Sequence, residues 1–289
     1  MVVCASGSEH SLFLDSLGAV WSCGNNHYGE LGLGHNTNSL TPQKINTLPP
    51  IISVSAGCRF SLFLDADGCV WSCGYNGNGR LGLGHKRNLN VPEKIPGLPK
   101  IVSAIALGLS SIFLDSEGFA WSCGYNERGQ LGLGDTNDRK KAEKIGGLPN
   151  IKSIAGGYHH CLFLDHEGSV WSCGGNRDRE LGLGDTTDRC EPEQIEGLPR
   201  IKLIAGGGYL SLFVDEEGNV WVCGRNTCGE LGLGHTNTIK APQKNKHLSK
   251  IVAIAAGNGN YSVFLDSNAN VFTCGFNKNG QLGLGNRIN

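Results

Sequence analysis

The stretch "VWSCGNNHYGELGLG" that begins at Val20 returns as "VWSCGYNGNGRLGLG" at Val70, fifty residues later. It returns again at Ala120, Val170, Val220 and Val271, each time ending in Leu-Gly-Leu-Gly. A fixed period of this length means that each copy is one supersecondary unit, which buries its apolar surface against its neighbours. The units are 1–50, 51–100, 101–150, 151–200, 201–250 and 251–289, read together as one domain over 1–289. The sixth gains one residue near Asn258–Asn260, and Phe272 stands where the other copies place Trp.

Residues 51–100 show what one unit does. "IISVSAG" (51–57) is β-branched and then small, and "SLFLD" (61–65) is apolar and runs into the turn signal "DADG". "CVWSCG" (69–74) is a second apolar run, followed by a glycine-rich loop and a last short segment, "VPEKI" (91–95). These are four short strands with turn chemistry between them and no helical period. The first segment ends in Ala or Gly in most copies, which suits a crowded axis. The fourth carries Pro42, Pro92, Pro192 or Pro242, which is tolerated at a sheet edge. Leu62 and Leu64 face one way and Phe63 the other, so the sheet needs cover on both sides. The expected fold is all-β: a β-propeller of six four-stranded blades, each a meander with its first strand innermost, the last blade lacking its fourth strand.

Composition narrows the function class. A net charge of −1 gives no global attraction to nucleic acid or to an anionic membrane, and no stretch reaches the length of a membrane span. Six of the twelve cysteines (Cys23, Cys73, Cys123, Cys173, Cys223, Cys274) hold one place in each copy, and there is no CxxC pair. Equivalent places on different blades lie beyond disulfide reach, so the expectation is buried thiols in a reducing compartment. No signal peptide is visible in "MVVCASGSEHSLFLD", which points to the cytoplasm.

The pattern GxVWSCGxNxxGQLGLG…PxKIxxLPxIxxIAxGxxHSLFLD resembles the repeat of the regulator of chromosome condensation family, over essentially the whole chain. The resemblance implies a β-propeller, usually of seven blades, that binds other proteins. It implies as partner a Ran-type small GTPase or its regulators. Guanine nucleotide exchange on that GTPase is the alternative activity, and an inhibitor or ligase-adaptor role is the third. Two departures stand out. Six units are present, and Trp21, Trp71, Trp121, Trp171 and Trp221 keep a fifty-residue spacing that leaves no room for the family's inserted wedge hairpin.

Residues repeated in every copy read as scaffold. Asp15, Asp65, Asp115, Asp165, Asp215 and Asp266 each precede a hairpin turn and bond its backbone. Asn26 and its equivalents suit a loop with left-handed backbone. The Leu-Gly-Leu-Gly loops lack the Lys-Ser/Thr of a phosphate loop, and no cofactor, bond-making catalytic set or metal site is expected. "HHC" at 159–161 alternates across a strand and so is discounted as a zinc site.

Function is expected where the copies differ: the loops after strands one and three, which share one end of a meander. There the sequence places His10, Arg59, Phe60, Tyr158, His159, His160, Tyr209 and Tyr261 as the candidate partner-binding set around the central opening. His10 and His160, at the family's GxxH place, have an equally good reading as ties between blades. Rim charges at Arg139–Lys141 and at Glu191, Glu193 and Glu196 are expected on solvated faces that can steer a partner.

Overall fold

The structure, a computed structural model, describes residues 3–289. All regular structure in them is β: five four-stranded antiparallel sheets and one three-stranded sheet, each in simple sequence order. Two compact units divide the chain. The first runs to Glu127 and takes in Asp135–Gly146; the second is Arg128–Gly134 with Gly147–Asn289.

The first unit holds three blades. They are β1 (Val3–Ser6) to β4 (Ser39–Lys44) through β2 (His10–Leu14) and β3 (Val20–Gly24); β5 (Ile51–Ala56), β6 (Phe60–Asp65), β7 (Val70–Gly74) and β8 (Leu89–Lys94); and β9 (Ile101–Ala106), β10 (Ser110–Asp115), β11 (Ala120–Gly124) and β12 (Arg139–Lys144). Its core lies between consecutive blades. Leu12, Leu14 and Val20 of one sheet pack with Phe63 and Cys73 of the next, and Leu62 and Leu64 pack with Phe113 and Cys123. The alternation of Leu62, Phe63 and Leu64 thus serves both neighbours of one sheet. Polar ties cross the same seam: Ser61 Oγ donates to the Glu30 carbonyl at 2.7 Å and Ser111 Oγ to that of Arg80 at 2.6 Å.

The second unit repeats the plan with β13 (Ile151–Gly156), β14 (His160–Asp165), β15 (Val170–Gly174) and β16 (Arg189–Gln194), then β17 (Ile201–Gly206), β18 (Leu210–Asp215), β19 (Val220–Gly224) and β20 (Ile239–Lys244). Its last sheet has only β21 (Ile251–Gly257), β22 (Tyr261–Asp266) and β23 (Val271–Gly275). Leu162 and Leu164 pack with Phe213, and Leu212 and Val214 with Phe264. The fold class is the all-β propeller expected from the repeat. In each four-stranded sheet the first and fourth strands are the two edges, and within each unit the first strands of successive sheets meet one another.

The repeated aspartates act as expected: Asp65 Oδ1 accepts from Cys69 N at 2.8 Å and its other oxygen from Trp71 Nε1 at 3.0 Å. The repeated asparagines do something different. None takes a left-handed backbone; glycines do. Asn76 instead braces its loop, donating from Nδ2 to the carbonyls of His85 and Arg87 while its Oδ1 accepts from Leu81 N at 3.0 Å. An amide, with a donor and an acceptor on one short stem, is the side chain that satisfies both sides of such a loop.

One position breaks the backbone rule. Gly29, Gly79, Gly129, Gly229 and Gly280 sit at φ between 74° and 88°, and in the remaining copy Arg179 is forced to 68°. A left-handed non-glycine residue costs roughly 1–2 kcal/mol, partly offset by the lower unfolded-state entropy of arginine. Arg179→Gly is therefore expected to stabilise the protein by about 1 kcal/mol, read as a rise of a few degrees in melting temperature. A lowered melting temperature would show that the arginine side chain more than offsets its backbone strain.

All twelve cysteines are thiols. No group of three or more metal-ligating side chains converges among the described residues, and no helix among them is long and apolar enough to cross a membrane.

Candidate binding face of the variable loops

Each blade ties the turn after its first strand to the loop after its third by one backbone hydrogen bond. Tyr75 N donates to Arg59 O at 2.8 Å in the first unit; Gly175 N donates to His159 O at 2.7 Å and Arg225 N to Tyr209 O at 2.9 Å in the second. The glycine that ends the third strand permits this. At Gly74, with φ 108°, a Cβ would stand 2.5 Å from Arg59 O and 2.7 Å from Phe60 Cα. Both variable loops are thus held on one end of a stiff sheet, whereas the opposite end carries the repeated Asp turns.

The eight candidate residues do not share one environment. Arg59 is exposed, while Tyr158, His159, Tyr209 and Tyr261 are half-buried. His10, Phe60 and His160 are interior, at 4%, 0% and 0% exposure, so the expectation that they meet a partner is corrected. All three open the second strand of their blade, and their rings lie over the glycine that follows the first strand. A Cβ on Gly57 would strike Phe60, and one on Gly157 would lie 2.5 Å from His160 Cε1 and run into the Gly207 carbonyl. Tyr261 takes the same place in the last blade, packed against Gly257.

The two histidines are ties between neighbouring blades. His160 Nε2 lies 3.0 Å from Ser211 Oγ, and that hydroxyl donates to the Glu180 carbonyl at 2.6 Å. With its only proton committed, the hydroxyl must accept, so His160 donates from Nε2 and leaves Nδ1 as a bare acceptor. His10 and Ser61 repeat the arrangement at 2.9 Å in the first unit. Burial pushes His160 down to about 3 and His10 down to about 4, because a second proton on Nδ1 would be an unpartnered charge away from water.

At the loop ends, arginines and aromatic rings interleave, with Arg80 buried among them. In the first unit the Arg59 guanidinium lies 5.4 Å from the Tyr28 ring, Tyr28 meets Tyr75 edge-on at 4.9 Å, and Arg80 stacks on Tyr75 at 4.7 Å. In the second unit Tyr158 stands 6.4 Å from Tyr209, with His159 edge-on to Tyr158 at 5.0 Å and Arg225 over Tyr209 at 5.5 Å. Cation–π contacts of this kind are worth roughly 0.5–1 kcal/mol when exposed, and they hold the side chains in place. Tyr28, Tyr75, Arg80 and Arg225 were not singled out by the repeat comparison. They sit in the loop after strand three, at places where the copies differ, and that variation was the available signal. Of the rim charges, Arg139 is paired with Asp135 at 2.7 Å and Glu143 at 2.9 Å, and Glu193 with Arg189, which also binds Asp185, both at 2.7 Å.

One carboxyl in this face is out of the ordinary. Glu180 is buried, its Oε2 accepting from Asp178 N at 2.8 Å, and burial pushes it up to about 8.

The profile of the regulator of chromosome condensation (RCC1) repeat matches residues 18–64, 67–113, 117–164, 167–214 and 217–265, most of the chain. The chain belongs to the RCC1 repeat family. A second profile of the same repeat matches from residue 3 to residue 281 in five pieces. Among solved structures, yeast RCC1 (Prp20), crystallised with Kap60, is 26% identical with a TM-score of 0.87, covering 98% of this chain and 72% of that one. Prp20p from Saccharomyces cerevisiae, studied for its binding to Gsp1p and histones, gives the same identity and TM-score over 99% of this chain and 74% of that one. Human WBSCR16, at 24% identity, shares the fold with a TM-score of 0.89 over all of this chain and 80% of its own. A comparison with curated proteins finds no match.

Proposed function

We propose that this RCC1-repeat protein is a cytoplasmic docking platform, and that its variable-loop face binds a Ran-type small GTPase or a regulator of one. A single observation carries the reading. Within each unit the loops at one end differ from copy to copy and hold Arg59, Tyr158 and Tyr209 on a rigid frame, while the other end repeats one Asp turn. Arginine and tyrosine dominate the few side chains that carry most of an interface's binding energy. The family resemblance supplies the GTPase class, in keeping with the Gsp1p binding studied for Prp20p.

The test is capture of GTP- and GDP-loaded Ran-type GTPase on the immobilised protein, with affinities by calorimetry. Arg59→Ala, Tyr158→Ala and Tyr209→Ala are each expected to cost about 2 kcal/mol, a loss of roughly 30-fold, without unfolding the blades. Glu117→Ala and Glu217→Ala, in the Asp turns, are expected to leave affinity unchanged. Stronger losses from the Glu pair would move the interface to the opposite end. Nucleotide release rates on the same complex separate a binding platform from an exchange factor, for which the uniform Trp spacing supplies no wedge.

A further inference from the structure

The second unit contains a cleft of about 260 Å³ on its variable-loop end. Gly175 opens it. At this place the other copies carry Asn25, Tyr75, Tyr125, Arg225 and Phe276, and in the first unit Tyr75 fills the corresponding space against Tyr28 and Arg80. Gly175 does not lie at positive φ, so its backbone makes no demand for glycine. What the glycine provides is room.

Three guanidiniums from successive loops reach this cleft: Arg128, Arg177 and Arg225. Arg128 Nη1 is 3.1 Å from Asp188 Oδ2, and the other oxygen of Asp188 accepts from Asn176 N at 2.9 Å, so that carboxylate is fully engaged. Arg225 is oriented by the Tyr209 ring and by Nε donating to Thr227 Oγ1 at 3.2 Å, which leaves its two terminal nitrogens available. Arg177 is exposed and forms no ion pair among the described residues. Against these stand the carboxylates of Asp178 and Asp188. Glu180, beneath them, holds its proton at neutral pH, and burial, with Arg128 beside it, keeps His159 below its ordinary value and uncharged. The balance is one positive charge in a half-enclosed cleft with two oriented donors to spare. One carboxylate neutralises it, whereas a phosphate dianion overshoots. A planar carboxylate also fits the forked donors of a guanidinium.

We propose that this cleft binds a single carboxylate, presented on an acidic side chain of the partner protein. The proposal rests on the reading of the variable-loop end as the docking face, and its test needs no partner. The probe is N-acetyl-glutamate N-methylamide, titrated into nitrogen-15-labelled protein while the arginine side-chain NMR signals are followed. Saturable shifts at Arg225 and Arg177 are expected, with no response to the glutamine analogue. Arg225→Ala is expected to weaken binding by about tenfold or more. Gly175→Tyr, which keeps every charge but fills the space, is expected to abolish it. Arg200→Ala, at the Asp-turn end, leaves it unchanged. Absence of a saturable shift in the folded protein overturns the proposal, as does full binding by both Arg225→Ala and Gly175→Tyr. A phosphoserine analogue that binds more than about tenfold tighter overturns the choice of a monoanion. Should glutamate bind while the GTPase is not captured, the cleft stands and the choice of partner falls; capture of the GTPase without a glutamate response sinks the cleft alone.

Discussion

Glu180→Gln is expected to abolish a downward slope of stability with pH that the wild-type protein carries between about pH 6.5 and 8. The native carboxyl titrates near about 8 because it is buried, against an ordinary 4.5. Between those two values the folded form holds one proton that the unfolded form has released. The contribution is therefore whole below pH 4.5 and is lost as pH rises, at up to about 1.4 kcal/mol per pH unit. Over that range this sums to several kcal/mol, a large share of a typical domain's stability. Gln130 already occupies the corresponding place, its Oε1 accepting from Arg128 N at 3.0 Å, so the substitution fits. Because Gln130 Nε2 finds no partner, the substitution carries a constant cost of its own, and the slope is the quantity to compare. Denaturant unfolding at pH 6.5, 7.2 and 8, where the histidines are silent, decides it. A slope that survives in Glu180→Gln would mean that the proton sits elsewhere.

His160→Phe is expected to do the opposite on the acid side. With its native value near about 3 against an ordinary 6.5, His160 makes the unfolded state the better proton binder between those limits. Stability is whole above pH 6.5 and falls as the pH drops, by about 2.7 kcal/mol at pH 4.5 from this residue alone. Phe60 shows that the site takes a phenyl ring, and Ser211 keeps its bond to the Glu180 carbonyl. Between pH 6.5 and 4.5 the share that His10 still withdraws, from its own value of about 4, is offset by the gain from Glu180, so the variant should hold its stability at pH 4.5. An acid limb as steep as the wild type's would remove His160 from the account. Among these three groups the two histidines oppose Glu180 below pH 6.5 and fall silent above it, so the wild-type optimum from them lies near pH 6.5.

Much of the blade was legible because each strand carries its own reason. "SLFLD" needs cover on both faces, the Asp that follows builds the turn, and proline in "VPEKI" marks the edge. What the sequence hid was the direction of single side chains at the loop ends. In "CRF", Arg59 is exposed and Phe60 wholly buried, and the switch comes with a left-handed Arg59 at φ 66°. Alternation carries no record of such a reversal. The pairing of Arg59 with Tyr28 joins residues from different copies, which no within-copy pattern reveals. Glu180 and Arg80 share one place in the repeat and look equally polar, yet one is a buried acid and the other a cation stacked on rings.

The serine that reaches back to the preceding blade has a consequence for how such a chain can change length. Ser211 takes the carbonyl of Glu180, and Ser262 takes that of Glu230, with the same atoms at nearly the same distance. The coupling is a common thread: whichever module follows, it offers a side-chain donor to the carbonyl of the previous one, a hydroxyl from Ser61, Ser111, Ser211 and Ser262 and a thiol from Cys161. Excising residues 201–250 would bring Ser262 to the carbonyl that Ser211 now uses, and copying them would insert one more matched joint. Whole modules can therefore be gained or lost by recombination without orphaning a polar group at the joint, and the extra residue of the sixth module, near Asn258–Asn260, falls in the turn before Ser262 and leaves its bond to the Glu230 carbonyl intact.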